Sequence, residues 1–195
     1  MLFHWALWLD QQIWIHRVKI ENCNPALWSE GKYAPIFRHM RILKVIRKDK
    51  TILLPDEDFR FAEGDYLDIM SIEANPEAYL KVLNLVEDLT VSIGKTVTLH
   101  DYVSDASLNE AENDNQIICC PIEIDKSSEF YRKAIWETAF REKYQGYIIG
   151  IERDNLPICN PDPFMSIEKG DLLWVLGGRA MADQLLLAGY LEEGV

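Results

Sequence analysis

The sequence predicts an α+β protein that contains one small fold twice, and three observations lead to this prediction. First, residues 42–72 align without a gap on residues 148–178, and eight of the 31 aligned positions are identical. Second, each copy alternates short apolar runs with turn residues, a pattern typical of antiparallel strands. Third, each copy ends in a segment that predicts a helix able to cover a sheet. A tandem duplication with a shift of 106 positions accounts for all three observations.

The two copies share one order of elements. In each, an apolar strand ends in arginine, and a polar turn leads to a second short strand that ends at proline, which cannot donate to a strand ladder. A Gly-Asp pair then makes the turn into the last strand, because glycine tolerates positive φ. The last strand alternates in the first copy but is apolar throughout in the second, which predicts burial on both faces. The matched positions are Arg47 and Arg153, Pro55 and Pro161, and Gly64-Asp65 and Gly170-Asp171.

The first copy is predicted to span residues 13–89. Residues 12–20 alternate as a strand, and an irregular or short helical crossover follows at 26–38. After the repeated strands, Asn75-Pro76 is typical of a helix start, and apolar residues at three-and-four spacing predict a helix over 77–89. Residues 90–115 are rich in Asp, Glu, Ser and Asn, so we expect an acidic, mobile linker there.

The second copy is predicted to span residues 116–195. It begins with a strand at 116–124, and Ser127 or Ser128 is expected to cap a helix over about 129–144. The repeated strands follow, and a closing helix is expected at 180–191. Each copy is therefore predicted to be β-α-β-β-β-α, an antiparallel sheet with its helices on one face.

Residues 1–12 form a lead-in segment whose first nine residues are apolar and aromatic. Two interpretations stay open: a short helix packed on the first copy, or a joint leading from a membrane segment outside this chain. No apolar run reaches the 18 residues that a membrane-spanning helix needs.

The repeated order of motifs resembles the TrkA-C domain, the C-terminal lobe of the regulator-of-conductance (RCK) modules of potassium channels and transporters. The second copy is the closer match, through Ile122-Glu123-Ile124, Ser127-Ser128, Ile151-Glu152-Arg153 and Gly170-Asp171. The resemblance covers residues 13–85 and 116–192 and is carried by the order and repetition of the motifs.

This resemblance implies a non-catalytic, ligand-sensing or dimerising module of a bacterial membrane cation transporter, such as a potassium or sodium/proton antiporter. Its partner would be the transmembrane domain of the same parent protein, at the cytoplasmic side of the inner membrane, and its copies would pair within one chain or in a homodimer. The resemblance leaves two alternatives open, a regulatory insertion of a dicarboxylate or amino-acid permease and a purely structural oligomerisation module. Some members of the family bind cyclic di-adenosine monophosphate (c-di-AMP) or metal ions between two such lobes.

The arginines kept in both copies are the candidate ligand-binding residues, together with the turns beside them. One interpretation is that each arginine pairs with a nearby carboxylate or carbonyl. The other is that it donates to a cyclic dinucleotide or another small anionic ligand. The candidate residues are Arg47, Asp49, Lys50, Arg153, Asp154 and Asn155.

Composition and motif spacing argue against several other functions. The net charge of −12 disfavours nucleic acid and anionic lipid as partners. The four histidines lack metal-ligand spacing, no serine or cysteine has an assignable base, and Gly94-Lys95-Thr96 lacks the glycine that a phosphate loop needs. We therefore predict no enzyme, no metal site and no certain cofactor. The four cysteines are interpreted as reduced thiols of a cytosolic compartment, most of them in the core, and nothing in the sequence favours a redox sensor.

Overall fold

The computed structural model describes residues 7–33, 40–56, 58–105, 107 and 115–191. The chain divides into two compact units. The first unit is Asp10–Ser104, and the second unit combines Met1–Leu9 with Asp105–Val195. Each unit is built on its own antiparallel sheet.

The first unit contains a five-stranded sheet in the order β3-β2-β4-β1-β5, with antiparallel neighbours. Alternate residues of the strands face a core in which Val18, Val45 and Leu67 pack with Leu27 and Leu83 of two helices. The helices and strands are α1 (Leu7–Gln12, which begins in the second unit), β1 (Trp14–Cys23), α2 (Pro25–Ser29), β2 (Arg41–Arg47), β3 (Lys50–Leu53), β4 (Tyr66–Ser71), α3 (Glu77–Asn84), β5 (Leu89–Thr98) and α4 (Leu99–Ser104).

The second unit contains a four-stranded sheet in the order β6-β9-β7-β8. Its core joins the sheet to aromatic side chains of the segment after β6, among them Phe130, Phe140 and Tyr144, and to Met181 and Leu185 of the closing helix. The elements are β6 (Ile117–Glu123), a 3₁₀ helix (Ile135–Thr138), α5 (Phe140–Tyr144), β7 (Gly146–Arg153), β8 (Leu156–Cys159), β9 (Leu172–Gly178) and α6 (Arg179–Leu187).

The two sheets repeat one topology, which confirms the predicted α+β class. The order β3-β2-β4-β1 in the first sheet matches β8-β7-β9-β6 in the second, and the first sheet adds β5 at the β1 edge. Both sheets carry a register shift at the same repeated position, between Ile42 and Lys44 and between Ile148 and Gly150. The all-apolar strand β9 is buried from Leu173 to its end, as its pattern predicts.

The segment expected to be an acidic linker from residue 90 differs from the prediction. Leu89–Thr98 is a strand that pairs with β1 along most of its length, and Leu99–Ser104 is a helix. The reason is burial, because Leu89, Val91 and Leu99 are removed from solvent although acidic residues follow them. Of the rest of the predicted linker, 106 and 108–114 lie outside the described residues.

The helix expected over 129–144 is interrupted. Arg132 and Ala139 adopt left-handed backbone angles, with φ of 63° and 46°, and left-handed residues end a right-handed helix. Between them Ala134 forms an isolated bridge to Ser166, so this stretch bonds to the loop before β9 instead. The closing helices are also shorter than expected, ending at Asn84 and Leu187.

The lead-in segment contains helix α1 from Leu7 onward. The Trp8 indole packs edge to face on Trp174, with ring centroids 6.5 Å apart, and both belong to the second unit. The interpretation of a helix packed on the first copy is therefore wrong for this residue, because its contact partner belongs to the other copy. Within the described ranges, no helix is long and apolar enough to cross a membrane.

Candidate functional site

Arg47 at the end of β2 forms a clamp with a buried carboxylate in the first unit. Its Nε and Nη2 atoms donate to the two oxygens of Asp65, each at 2.7 Å, and Nη2 also donates to the carbonyl of Arg60 at 2.7 Å. The Asp65 side chain is 0% exposed, whereas 37% of the Arg47 side chain is exposed. Such a bidentate, charge-assisted pair fixes both side chains in one geometry.

The second unit repeats this clamp at every atom. Arg153 at the end of β7 donates through Nε and Nη2 to Asp171, each at 2.7 Å, and through Nη2 to the carbonyl of Ser166 at 2.8 Å. Asp171 is 1% exposed. Each Arg–Asp clamp joins the end of one strand, β2 or β7, to the residue before its antiparallel neighbour, β4 or β9.

The clamp also holds the Gly-Asp turn in place. The second carboxylate oxygen of Asp65 accepts the backbone N–H of Ala62, and that of Asp171 accepts the N–H of Glu168, both at 2.8 Å. Each carboxylate is thus satisfied by three N–H donors. Gly64 and Gly170 carry φ of 86° and 89°, which explains why glycine precedes the aspartate in both copies.

The paired carboxylate raises the pKa of both Arg47 and Arg153, chiefly through its hydrogen bonds, so both guanidinium groups stay charged. This geometry favours the first of the two interpretations, an arginine paired with a carboxylate and a carbonyl. An anionic ligand would meet a guanidinium whose charge is already compensated by a buried aspartate. Sequence reasoning did not identify the aspartates as the partners, although their 18-residue spacing from the arginine is the same in both copies.

The turn candidates lie beside the clamps and are exposed. Arg47 pairs with Lys50 and Arg153 with Leu156, so each hairpin is closed by a two-residue turn. Asp154 and Asn155 both have positive φ, which suits a turn of this kind. The structure thus places the candidate residues of each copy at one end of a hairpin, and their binding of a ligand stays a prediction.

A polar cluster lies on the other face of the first sheet. Asp68, which is 1% exposed, accepts two bonds from Arg17 at 2.7 and 2.8 Å and a third from the hydroxyl of Tyr102 at 2.7 Å. The fully buried Lys44 lies near the Tyr102 ring, 5.9 Å from its centroid. Tyr102 belongs to α4, so the structure adds a helix on the face opposite α2 and α3. The burial of Asp68 could not be predicted from the sequence, because an aspartate between two apolar residues of a strand is typical of a solvent-exposed face.

His16 in β1 is fully buried, and both of its ring nitrogens form hydrogen bonds within the protein. Its Nε2 lies 2.8 Å from the carbonyl of Glu73, so Nε2 carries the proton, and Nδ1 accepts from the Thr96 hydroxyl at 2.8 Å. Burial lowers the pKa of this imidazole more than the bond to the Glu73 carbonyl raises it. The neutral ring is therefore the form that the fold accommodates.

The four cysteines are free thiols; Cys23 and Cys120 are buried, whereas Cys119 and Cys159 are half-buried. Burial raises the pKa of Cys120 to about 12 and also raises that of the neighbouring Cys119. A thiol needs its thiolate form to react, so these two groups are poor nucleophiles near neutral pH. In the described part of the chain, no group of three or more His, Cys, Asp and Glu side chains is placed to hold a metal ion.

No family model and no curated protein matches this chain. Among solved structures, it is similar to the RCK_C domain dimer of S. agalactiae BusR in complex with c-di-AMP, at 26% identity, covering 35% of this chain and 91% of that chain with a TM-score of 0.33. It is also similar to the RCK C domain of the potassium transport protein KtrA in complex with c-di-AMP, at 21% identity, covering 44% and 98% of the two chains with a TM-score of 0.35.

A further match is S. agalactiae BusR in complex with its busA-promoter DNA, at 26% identity, covering 38% of this chain and 36% of that chain with a TM-score of 0.33. For this chain, the expectation of no nucleic-acid partner rests on the net charge alone and stays a prediction. In its sequence motifs and among these solved structures, this chain is similar to RCK C-terminal (TrkA-C) domains.

Proposed function

We propose that this chain is a non-catalytic regulatory module that senses a small anionic ligand. The observation that carries the proposal is the duplication itself: one chain holds two copies of one fold, in the order of motifs that resembles TrkA-C domains, and each copy keeps its complete Arg–Asp clamp. A ligand can regulate such a module only if it binds one conformation better than another.

A cyclic dinucleotide is the ligand class that we propose, and c-di-AMP is the first probe because the BusR and KtrA domains are described in complex with it. The protein carries a net charge of −12, so a phosphate ligand needs local donors rather than a general attraction. The candidate donors stay Arg47, Lys50, Arg153 and Asn155, with Asp49 and Asp154 in the same turns.

The hydrogen bonds of the clamps limit which atoms of these arginines could bind a ligand. Two of the three guanidinium nitrogens of Arg153 already bond to Asp171, and one of them also bonds to the carbonyl of Ser166. A ligand bound here would use the remaining nitrogen and the exposed turn, while the aspartate keeps the guanidinium in place. Arg153→Lys would lose the bidentate geometry of the clamp. Asn155→Gly would remove only the turn amide and would keep the positive φ at that position, so the two substitutions distinguish a role of the clamp from a role of the turn.

We further propose that the module belongs to a membrane cation transporter, with a transmembrane domain of the same parent protein as partner, at the cytoplasmic side of the inner membrane. Potassium or sodium/proton antiport is the transport that the TrkA-C resemblance favours. The parent protein tests this part: transport in membrane vesicles should respond to the ligand and should lose that response when the module is deleted.

A scaffold that holds transporter subunits together is the second candidate. The saturated carboxylates of the clamps favour it, because their arginines are occupied without any ligand. A thermal-shift panel of c-di-AMP, cyclic di-guanosine monophosphate, ATP, Mg²⁺ and Mn²⁺ separates the two candidates. At a hundredfold excess over Kd, a sensor should gain roughly 5 to 10 °C in Tm with its ligand, whereas a scaffold should show no shift with any of them.

A further inference from the structure

The second sheet carries a recess shaped for an indole ring. A Cβ atom added at Gly150 would stand 2.3 Å from Cη2 of Trp8, so the Trp8 ring occupies the space where a side chain would be. Trp174, the cross-strand partner of Gly150, meets the same indole edge to face. We call this recess, which lies over the Cα atom of Gly150 and beside the ring of Trp174, the indole seat.

The indole seat belongs to the second copy alone. With the shift of 106 positions, Gly150 corresponds to Lys44 and Trp174 to Asp68, and these two are also cross-strand partners. In the first copy both are buried side chains, and Tyr102 bonds to Asp68 from α4. The common fold therefore does not require the seat, which arises from residues that differ between the copies.

Trp8 fills the seat without a polar partner. Its Nε1 atom is buried, and no hydrogen-bond partner for it is found among the described residues. A buried donor that is left unpaired costs free energy, and water would satisfy it on release. Shape and apolar contact, rather than hydrogen bonding, hold the indole in place.

We propose that Trp8 is a releasable latch, by which the helix α1 docks on the indole seat of the second copy. The latch makes the segment in front of β1 part of the second copy, although about 140 positions separate Trp8 from Gly150 in the sequence. Release of the indole frees α1 and exposes the seat. Its regulatory role rests on the proposed function, whereas the docking does not.

A double-mutant cycle tests the docking. Gly150→Ala should lower Tm by roughly 5 °C, because its methyl group and the indole compete for one space. In a Trp8→Ala background the same substitution should change Tm by less than about 1 °C, since the space is then free. Additive effects in the two backgrounds would overturn the latch.

Gly94→Ala is the matched control, because its added methyl group would meet only Arg17, at ordinary contact distances of 3.5 Å to the carbonyl oxygen and 3.8 Å to Cγ. It should leave Tm close to that of the parent protein in both backgrounds. A loss of Tm as large as that of Gly150→Ala would contradict the assignment of the effect to the indole.

Hydrogen exchange tests the release. Amides of Gln11 and Gln12, which follow the first turn of α1, should be protected in the parent protein and should exchange about tenfold faster in Trp8→Ala, with β9 unchanged. Unprotected amides in the parent protein would overturn the latch.

If c-di-AMP binds and changes exchange in α1, the regulatory role is supported; if it binds without that change, the regulatory role is wrong and the docking stands. If no ligand binds, the proposed function fails, while the double-mutant cycle still decides the docking.

Discussion

At the scale of single residues, the repeated Arg–Asp ion pair explains why both copies keep the same arginine and the same Gly-Asp turn. Arg47 and Arg153 occupy the same position in the two copies, and each forms an ion pair with a buried aspartate. Such a pair is worth little as a net gain over apolar packing, but breaking it leaves a charge buried alone. The arginines are therefore required for stability whether or not they also contact a ligand.

Arg153→Ala should lower the free energy of unfolding by about 3 kcal/mol, because it leaves the Asp171 carboxylate buried without its cation. Arg47→Ala should do the same through Asp65. Urea denaturation measures both effects. Lys169→Ala, at an exposed position of the same turn, should change stability by less than about 0.5 kcal/mol. An Arg153→Ala effect as small as that of the control would remove the structural role of the clamp.

His16 should make stability depend on pH. Its folded-state pKa is lowered from 6.5 by burial, so the unfolded chain takes up a proton more readily than the fold does. Its contribution to stability is fully present above pH 6.5 and is lost as pH falls through the lowered pKa. Urea midpoints at several pH values between 7.5 and 5 should fall with pH in the parent protein. In His16→Gln that part of the slope should vanish; an unchanged slope would assign the effect to other groups.

At the scale of elements, the strands were predictable and the long helix of the second copy was not. Alternation, the Arg-ending strands and the Gly-Asp turns depend on local chemistry that is visible in the sequence. The break after Phe130 depends on contacts distant in sequence, because Arg132 donates to the carbonyl of Ile167 and Lys133 accepts from the N–H of Ile167. The sequence does not predict strand β5, because its apolar residues precede a strongly acidic segment. The composition of residues 90–115 as a whole predicts a linker, although Leu89–Thr98 contains an apolar pattern.

Ala139 offers a test of this broken helix. Its φ of 46° is unfavourable for any residue with a Cβ, and the residue is exposed, so Ala139→Gly should stabilise the protein by up to about 1 kcal/mol. Ala134→Gly is the matched control, because φ there is −67° and glycine only adds freedom to the unfolded chain. Thermal unfolding should show opposite signs for the two variants. Destabilisation by both would indicate that Ala139 is not left-handed.

At the scale of the whole molecule, the duplication could be predicted and its divergence could not. The 106-position repeat predicted two sheets of one topology, and the sheets, their register shifts and their clamps agree with it. The other face of each sheet differs, with a polar cluster around Asp68 in the first unit and the seat of Trp8 in the second. These faces depend on α4 and α1, which lie outside the repeated stretch, so the repeat carries no information about them.

The central claim is that this duplicated fold binds a cyclic dinucleotide, and isothermal titration of the whole chain with c-di-AMP tests it most directly. We predict saturable binding at physiological salt that is weaker for cyclic di-guanosine monophosphate, and that survives in Lys169→Ala. The absence of any binding heat at several temperatures, with a protein shown to be folded by its cooperative thermal transition, would contradict the sensor and leave the scaffold as the function.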